Sequence, residues 1–191
     1  MKKGTVRKEA TPPARGVADE IRKISGGEAV IFPLILEGLS IPTFVIGQDH
    51  RVLYWNRALQ ELSGIRAERI IGTKEHWRAF YSRERPCMAD LIADGLQDEI
   101  PQWYAGKYRK SKLLKEAYEA TDFFPDLGKE GKWLRFTASA LRDPGGNLIG
   151  ALETLEDVTE GKQAETALRE SEKRLKRILE GSPIPAFLID R

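Results

Sequence analysis

Cysteine is nearly absent. Cys87 stands alone among 191 residues, so no internal disulfide can form, and without a CxxC or CxxCH unit the chain has no zinc set of that type and no covalent haem attachment. Such usage fits a reducing, cytoplasmic setting. A dominant charge of one sign is missing as well. The net charge of +2 gives no field that would hold nucleic acid across the whole surface, and no nucleic-acid partner is expected. Long apolar runs are also lacking. The best, residues 30–47, contains Glu37 and is cut by Pro33 and Pro42, so it reads as helix, turn and strand rather than as a membrane span. The basic N-terminus (Lys2, Lys3, Arg7, Lys8) runs into Thr11-Pro12-Pro13 where a secretory apolar core would stand. Residues 1–16 therefore read as a flexible basic leader. No Ser/His/Asp or Cys/His set, phosphate-cradling loop, ATP lid or phosphoacceptor histidine box is present, so catalysis by these residues is not expected.

What is present is ordinary soluble-protein composition, 41% apolar and 31% charged, in a chain long enough for one or two domains. Residues 17–25 place Val17, Ile21 and Ile24 on one helical face before Gly26-Gly27, which predicts an amphipathic N-terminal helix within 17–33. A second helical stretch over 30–39 ends at Gly38. Two β-rich runs follow, 43–46 and 51–56, joined by the turn residues Gly47-Gln48-Asp49-His50, with His50 read as solvated. Asn56 is placed to cap a helix over 57–62 that Gly64 terminates. Three more β-rich runs, 118–124, 132–141 and 148–156, predict an antiparallel meander, with Asp143-Pro144-Gly145-Gly146-Asn147 as one turn.

Between the second and third β runs lies an excursion, 73–117, with helical periodicity in Met88, Leu91 and Ile92 and again in Leu113, Leu114 and Ala117. Asp90, Asp94, Asp98 and Glu99 read as the exposed face of a helix rather than a metal site or carboxylate dyad. Cys87 reads as a small buried hydrophobe. Phe80, Tyr81, Trp103, Tyr104 and Tyr108 lie near Arg83, Arg85, Lys107, Arg109 and Lys110, a combination that can seat an organic anion. The alternative is that the aromatics fill an enlarged core while 107–115 is a wet helix face. After Asp157 the pattern becomes one charged helix, 158–181, with Ala164, Leu168, Ser171, Leu175 and Ile178 on a seam suited to self-association. Residues 178–191 then repeat 35–48: Ile-Leu-Glu-Gly, Ile-Pro, Phe and Ile recur at the same spacing.

This order of elements resembles the PAS domain of bacterial signalling proteins. Ile41 to Ile46 and Val52 to Ala58 are similar to its opening strands and Asn-started helix, and Gly64 to Gly72 to what comes next. Lys132-Trp133-Leu134, Asn147 to Gly150 and Leu155 to Glu160 are similar to its closing strands and the Asp-Ile-Thr element at the mouth of a signalling helix. The resemblance implies an α+β fold: a five-stranded antiparallel sheet, a helical wall enlarged by the 73–117 insertion, an N-terminal helix and a C-terminal signalling helix. It implies a sensor domain over 34–157, a linker helix over 158–181, and the truncated start of a second PAS domain over 182–191.

It also implies function. A small ligand would bind in a cavity, with Phe44, Trp55, His76, Trp77, Phe80, Tyr81, Trp103, Tyr104, Tyr108, Phe123 and Trp133 as candidate lining. Asp157 and Thr159 would relay a conformational change into the helix. The output would be a histidine kinase of a two-component system, or a diguanylate cyclase, in the same chain, within a homodimer formed through the flanking helices. The cofactor is left open: His76 is a candidate axial ligand to non-covalent haem, whereas Arg85-Pro86-Cys87-Met88 does not resemble the reactive-cysteine motif of flavin photosensors. No other metal is expected. The alternative is a ligand-free dimerisation or spacer domain with a filled core.

Overall fold

The computed structural model describes residues 31–112 and 114–181. The expectations for the leader, for the helix at 17–25 and for the second repeat at 182–191 lie outside the described residues. The described chain begins with α1 (Ile31–Gly38), then β1 (Thr43–Gly47), β2 (Val52–Trp55), α2 (Arg57–Ser63) and α3 (Ala67–Ile70). A 3₁₀ turn (His76–Ala79), α4 (Met88–Ala93), a second 3₁₀ turn (Gln97–Glu99) and α5 (Ile100–Trp103) follow. β3 (Tyr108–Lys110), β4 (Ala117–Phe124), β5 (Lys132–Arg142) and β6 (Leu148–Asp157) lead into α6 (Thr159–Gly181).

All the strands join one antiparallel sheet in the order β2-β1-β6-β5-β4-β3, so the opening hairpin and the closing meander share it. The sheet has six strands, not five. Gly106, at φ 71°, turns the chain back so that Tyr108 and Lys110 pair with Ala120 and Tyr118. Cross-strand pairing thus overrides the helical spacing of 107–117: the wet face becomes a charged edge strand, Ala117 opens β4, and Leu113 lies outside the described residues. Charged Arg109 and Lys110 suit an edge, where they discourage further strand addition.

Local chemistry sets the joints. The Asn56 side-chain oxygen accepts the N–H of Leu59 at 2.9 Å and that of Thr43 at 3.0 Å, capping α2 and pinning it to β1. Gly64 ends α2 in the left-handed conformation, φ 72°. Where β1 and β6 pair, a Cβ on Gly150 would meet the Ile46 carbonyl oxygen at 2.1 Å, so only glycine fits. The core lies on one face of the sheet: Phe44, Ile46, Leu134, Phe136, Ala138, Ala151 and Leu155 point into it and meet Met88, Leu91 and Ile92 of α4. The helices and the irregular segment 81–87 therefore form a wall over this inner face, while the other face mixes Thr137, Thr154 and Arg135 with Val45, Leu152, Phe123 and Trp133.

Candidate functional site

The wall is built around a short helix and what its first turn binds. Cys87 is the N-cap of α4 and Asp90 its third residue, and the two form a reciprocal capping pair in which Asp90 Oδ2 accepts the Cys87 N–H at 2.8 Å. The same oxygen accepts His76 Nε2–H at 2.8 Å, and Asp90 Oδ1 accepts His50 Nδ1–H at 2.7 Å. His50 Nε2 donates to Asp94 at 2.9 Å. Burial pushes the Asp90 carboxyl up, but the bonds from His76 and His50 and from the Cys87 amide outweigh it and hold the acid below its usual range. Burial pulls His50 down, yet Asp90 and then Asp94 outweigh that and raise it. Carboxylates facing both ring nitrogens favour the protonated form of His50. Its backbone sits at φ 62°, a conformation uncommon outside glycine, and the two carboxylate bonds offset that local strain.

A second acid faces the wall from the sheet. Glu153, opposite Ala138 in the β5–β6 register, is 3% exposed, and its Oε2 accepts the Ala89 N–H at 2.8 Å. Burial pushes it up to about 8; the Ala89 bond opposes this and the nearby Asp90 adds to it. Glu153 is therefore mostly protonated and uncharged at neutral pH. Burial also pushes the Cys87 thiol well up, which keeps it from being a nucleophile.

Aromatic rings continue the lining. Phe44 touches Trp55, His76 and Phe80 at centroid separations of 5.7, 5.5 and 6.1 Å, and Phe124 links Phe80, Tyr81 and Phe136 at 5.9, 5.7 and 6.0 Å. Tyr104 stands edge-on to Phe136 at 5.5 Å. At the rim of this cluster the Arg85 guanidinium lies over Tyr81 at 4.2 Å, Trp103 at 5.1 Å and Tyr104 at 5.3 Å. Among the described residues, the buried side-chain polar atoms without a hydrogen-bond partner are His76 Nδ1, Arg85 Nε and Arg85 Nη2. All three belong to the wall.

The far end of β6 carries a different device. Thr159 Oγ1 accepts the Trp133 N–H at 3.0 Å, Asp157 accepts the Thr159 N–H at 3.0 Å and the Thr159 hydroxyl, and Lys132 pairs with Asp157. The Val158 N–H returns to the Trp133 carbonyl at 2.9 Å. The start of α6 is thus tied to the start of β5. Two grooves open nearby, one of 450 Å³ lined by Tyr108, Arg109, Glu119, Arg135 and Lys162, the other of 910 Å³ lined by Pro42, Leu62, Lys132, Thr137 and Asp157.

A family model described as the PAS fold matches residues 36–163. The chain belongs to the PAS fold family. No curated protein matches it. Among solved structures, an RNA-binding light-oxygen-voltage receptor is similar at 18% identity and TM-score 0.52, over 86% of this chain and 41% of that one. The PAS domain of BvgS from Bordetella pertussis aligns at 16% identity and TM-score 0.47, over 76% of this chain and 98% of that one. A sensory box histidine kinase/response regulator from Burkholderia thailandensis aligns at 16% and 0.45, over 76% and 98%. Among the described residues no helix is long and apolar enough to cross a membrane.

The PAS domain brings some of the candidate residues together and scatters others. Phe44, Trp55, His76, Phe80 and Tyr104 are buried in the inner cluster; Trp77, Tyr81 and Tyr108 pack against it half-buried. Trp103 is 41% exposed and reaches the site only across Arg85. Phe123 and Trp133 do not line the inner face. Strand alternation gives the inward positions to Phe124 and Leu134 and leaves the other two paired at 5.5 Å on the outer face. Two further expectations are corrected: Asp90 is buried and paired, and His50 is part of its network. Asp94 is hydrogen-bonded as well, so the acidic row is not simply a solvated face. The one sequence signal for His50 was its place in a tight turn, where a solvated side chain reads the same.

The haem reading of His76 does not fit this geometry. Its Nε2 is committed to Asp90 and the ring is 2% exposed, packed 5.5 Å from Phe44. His76, Cys87 and Asp90 do bring one ligand atom each within 4.8 Å of one another, but the hydrogen bonds among them already account for that approach.

Proposed function

We propose that this PAS domain is a cytoplasmic sensory module that acts by conformational relay rather than by catalysis. A small ligand held between sheet and wall shifts β5 and β6, and α6 carries the shift to an output domain of histidine kinase or diguanylate cyclase type, within a homodimer made by the flanking helices. The observation that carries the reading is the joint at Asp157. Through Thr159, Trp133 and Lys132 it couples the ends of two sheet strands to the first turn of a 23-residue helix. Leu168, Leu175, Ile178 and Leu179 stand more than half exposed on that helix, an arrangement that suits a lever which docks elsewhere. A second reading, a spacer that binds nothing, draws support from the ring-to-ring packing of the inner cluster.

The test has two linked parts: mass spectrometry, with an absorbance scan, of whatever denatured protein releases, and hydrogen exchange across 148–165 before and after that compound is returned. A released compound that slows exchange at the joint supports the relay. Protein that releases nothing, and whose joint is indifferent to every compound that binds, is a spacer.

A further inference from the structure

Among the described residues Arg85 has no ion-pair or hydrogen-bond partner, in a wall whose buried carboxylate, Asp90, is fully paired. It precedes Pro86, which disfavours the helical region for it, and it reaches back across Tyr81, Trp103 and Tyr104. Those rings meet the face of the guanidinium and satisfy its charge only in part. They offer no acceptor in its plane. The two buried atoms without partners, Nε and Nη2, are the donors of one edge of the guanidinium, whose N–H bonds run parallel and match the two oxygens of a carboxylate. Among the described residues no carboxylate meets that edge. Asp90 is taken up by His76, His50 and the Cys87 amide. Glu153 is turned to Ala89 and is mostly uncharged at neutral pH. No ion pair to Arg85 occurs among the described residues.

A buried donor pair left unmade is costly, and of the three rings around the guanidinium Trp103 is 41% exposed, which leaves apolar surface beside the donors for a flat body. We propose that Arg85 anchors the ligand of this domain, and that the ligand is a small organic carboxylate with an aromatic or flat apolar body. The anion accepts both N–H bonds of the Nε–Nη2 edge, and its body lies against Tyr81, Trp103 and Tyr104. Entry is by the segment Ser82-Arg83-Glu84, which is exposed and in neither helix nor strand. The assignment rests on the sensory reading above and names the chemistry of the ligand.

The experiment is calorimetric titration and thermal melting of the whole chain with phenylacetate, benzoate and indole-3-acetate. The uncharged amides of the same three compounds serve as controls. Arg85→Gln removes the guanidinium, and Arg85→Lys keeps the charge but loses the fork, which guards against misreading an unfolded variant. The expected result is saturable binding of at least one carboxylate, at least ten-fold weaker binding of its amide, and a loss of ten-fold or more in both variants while their unliganded melts stay cooperative. Amides that bind as well as the acids, an Arg85→Lys protein that binds like the parent, or no carboxylate binding up to about 10 mM would each overturn the assignment. A neutral compound released from the purified protein, bound equally by Arg85→Gln, would overturn it while leaving the sensory reading intact.

Discussion

Two charged side chains enter the same wall only a few residues apart, and they are treated oppositely. Asp90 receives three hydrogen bonds, from two imidazoles and a backbone amide. Arg85 receives stacked rings over its face and nothing along one edge. A buried charge that is paired on every side is a fastener, because breaking it strands its partners. A half-buried charge whose inner edge is left open is a poor fastener and a good receptor. The contrast assigns stability to the His50–Asp90–His76 network and recognition to Arg85, although both lie on one segment of chain.

The largest effect should come from breaking the fastener. Asp90→Ala leaves His76 Nε2, His50 Nδ1 and the Cys87 amide without their acceptor, at a cost of about 3–5 kcal/mol, which for a chain of this size lowers the melting temperature by roughly 10 °C. Urea unfolding measures it, and a loss below about 1 kcal/mol would show that the network is ornamental to the fold.

The next effect sharpens the comparison through pH. Glu153 is raised from 4.5 to about 8, so the folded chain binds this proton more tightly than the unfolded one. Between those values stability falls as pH rises, by up to about 1.4 kcal/mol per unit for one proton, and above about 8 both states are ionised and the loss stops. His50, also raised, contributes stability that is present below its ordinary value and is lost as pH climbs through its folded value. Glu153→Gln should therefore flatten the decline between pH 5 and 8, leaving the share of His50, and should exceed the parent in stability at pH 8. Urea midpoints at three pH values check this; an unchanged slope means that Glu153 is ionised throughout.

A smaller effect belongs to the other end of the sheet. Asp157→Ala removes the acceptor for Thr159 and the partner of Lys132 and should cost about 1 kcal/mol. Exchange should quicken in the first turns of α6 but not in α4. Uniform quickening throughout the domain would deny the joint its separate role.

The fold was readable where local chemistry and pattern agree. Asn56 and Gly64 mark the ends of α2 by capping alone, and the alternating strands 117–124, 132–142 and 148–157 fall within a residue or two of their expected bounds. The site was readable in its ingredients and not in its connections. Nothing in the order of residues says that His50 in a hairpin turn meets Asp90 and Asp94 forty residues on, because that contact exists only once α4 lies across the sheet. The edge strand at 108–110 was hidden for the same reason: Tyr-Arg-Lys has no pattern of its own and becomes a strand by pairing with β4. Phe123 and Trp133 show the cost of a one-residue error in facing, since each is the neighbour of a residue that does point inward.

The most direct measurement is the unliganded melt of Arg85→Met beside that of Asp90→Ala at one pH. The account predicts that Arg85→Met melts within about 2 °C of the parent or above it, because replacing a half-buried cation that has two buried, unpaired donors by an apolar chain of similar length relieves a cost, while Asp90→Ala falls far below. An Arg85→Met protein that falls as far as Asp90→Ala would mean that Arg85 holds the wall together, and would contradict its assignment as the open, ligand-facing charge.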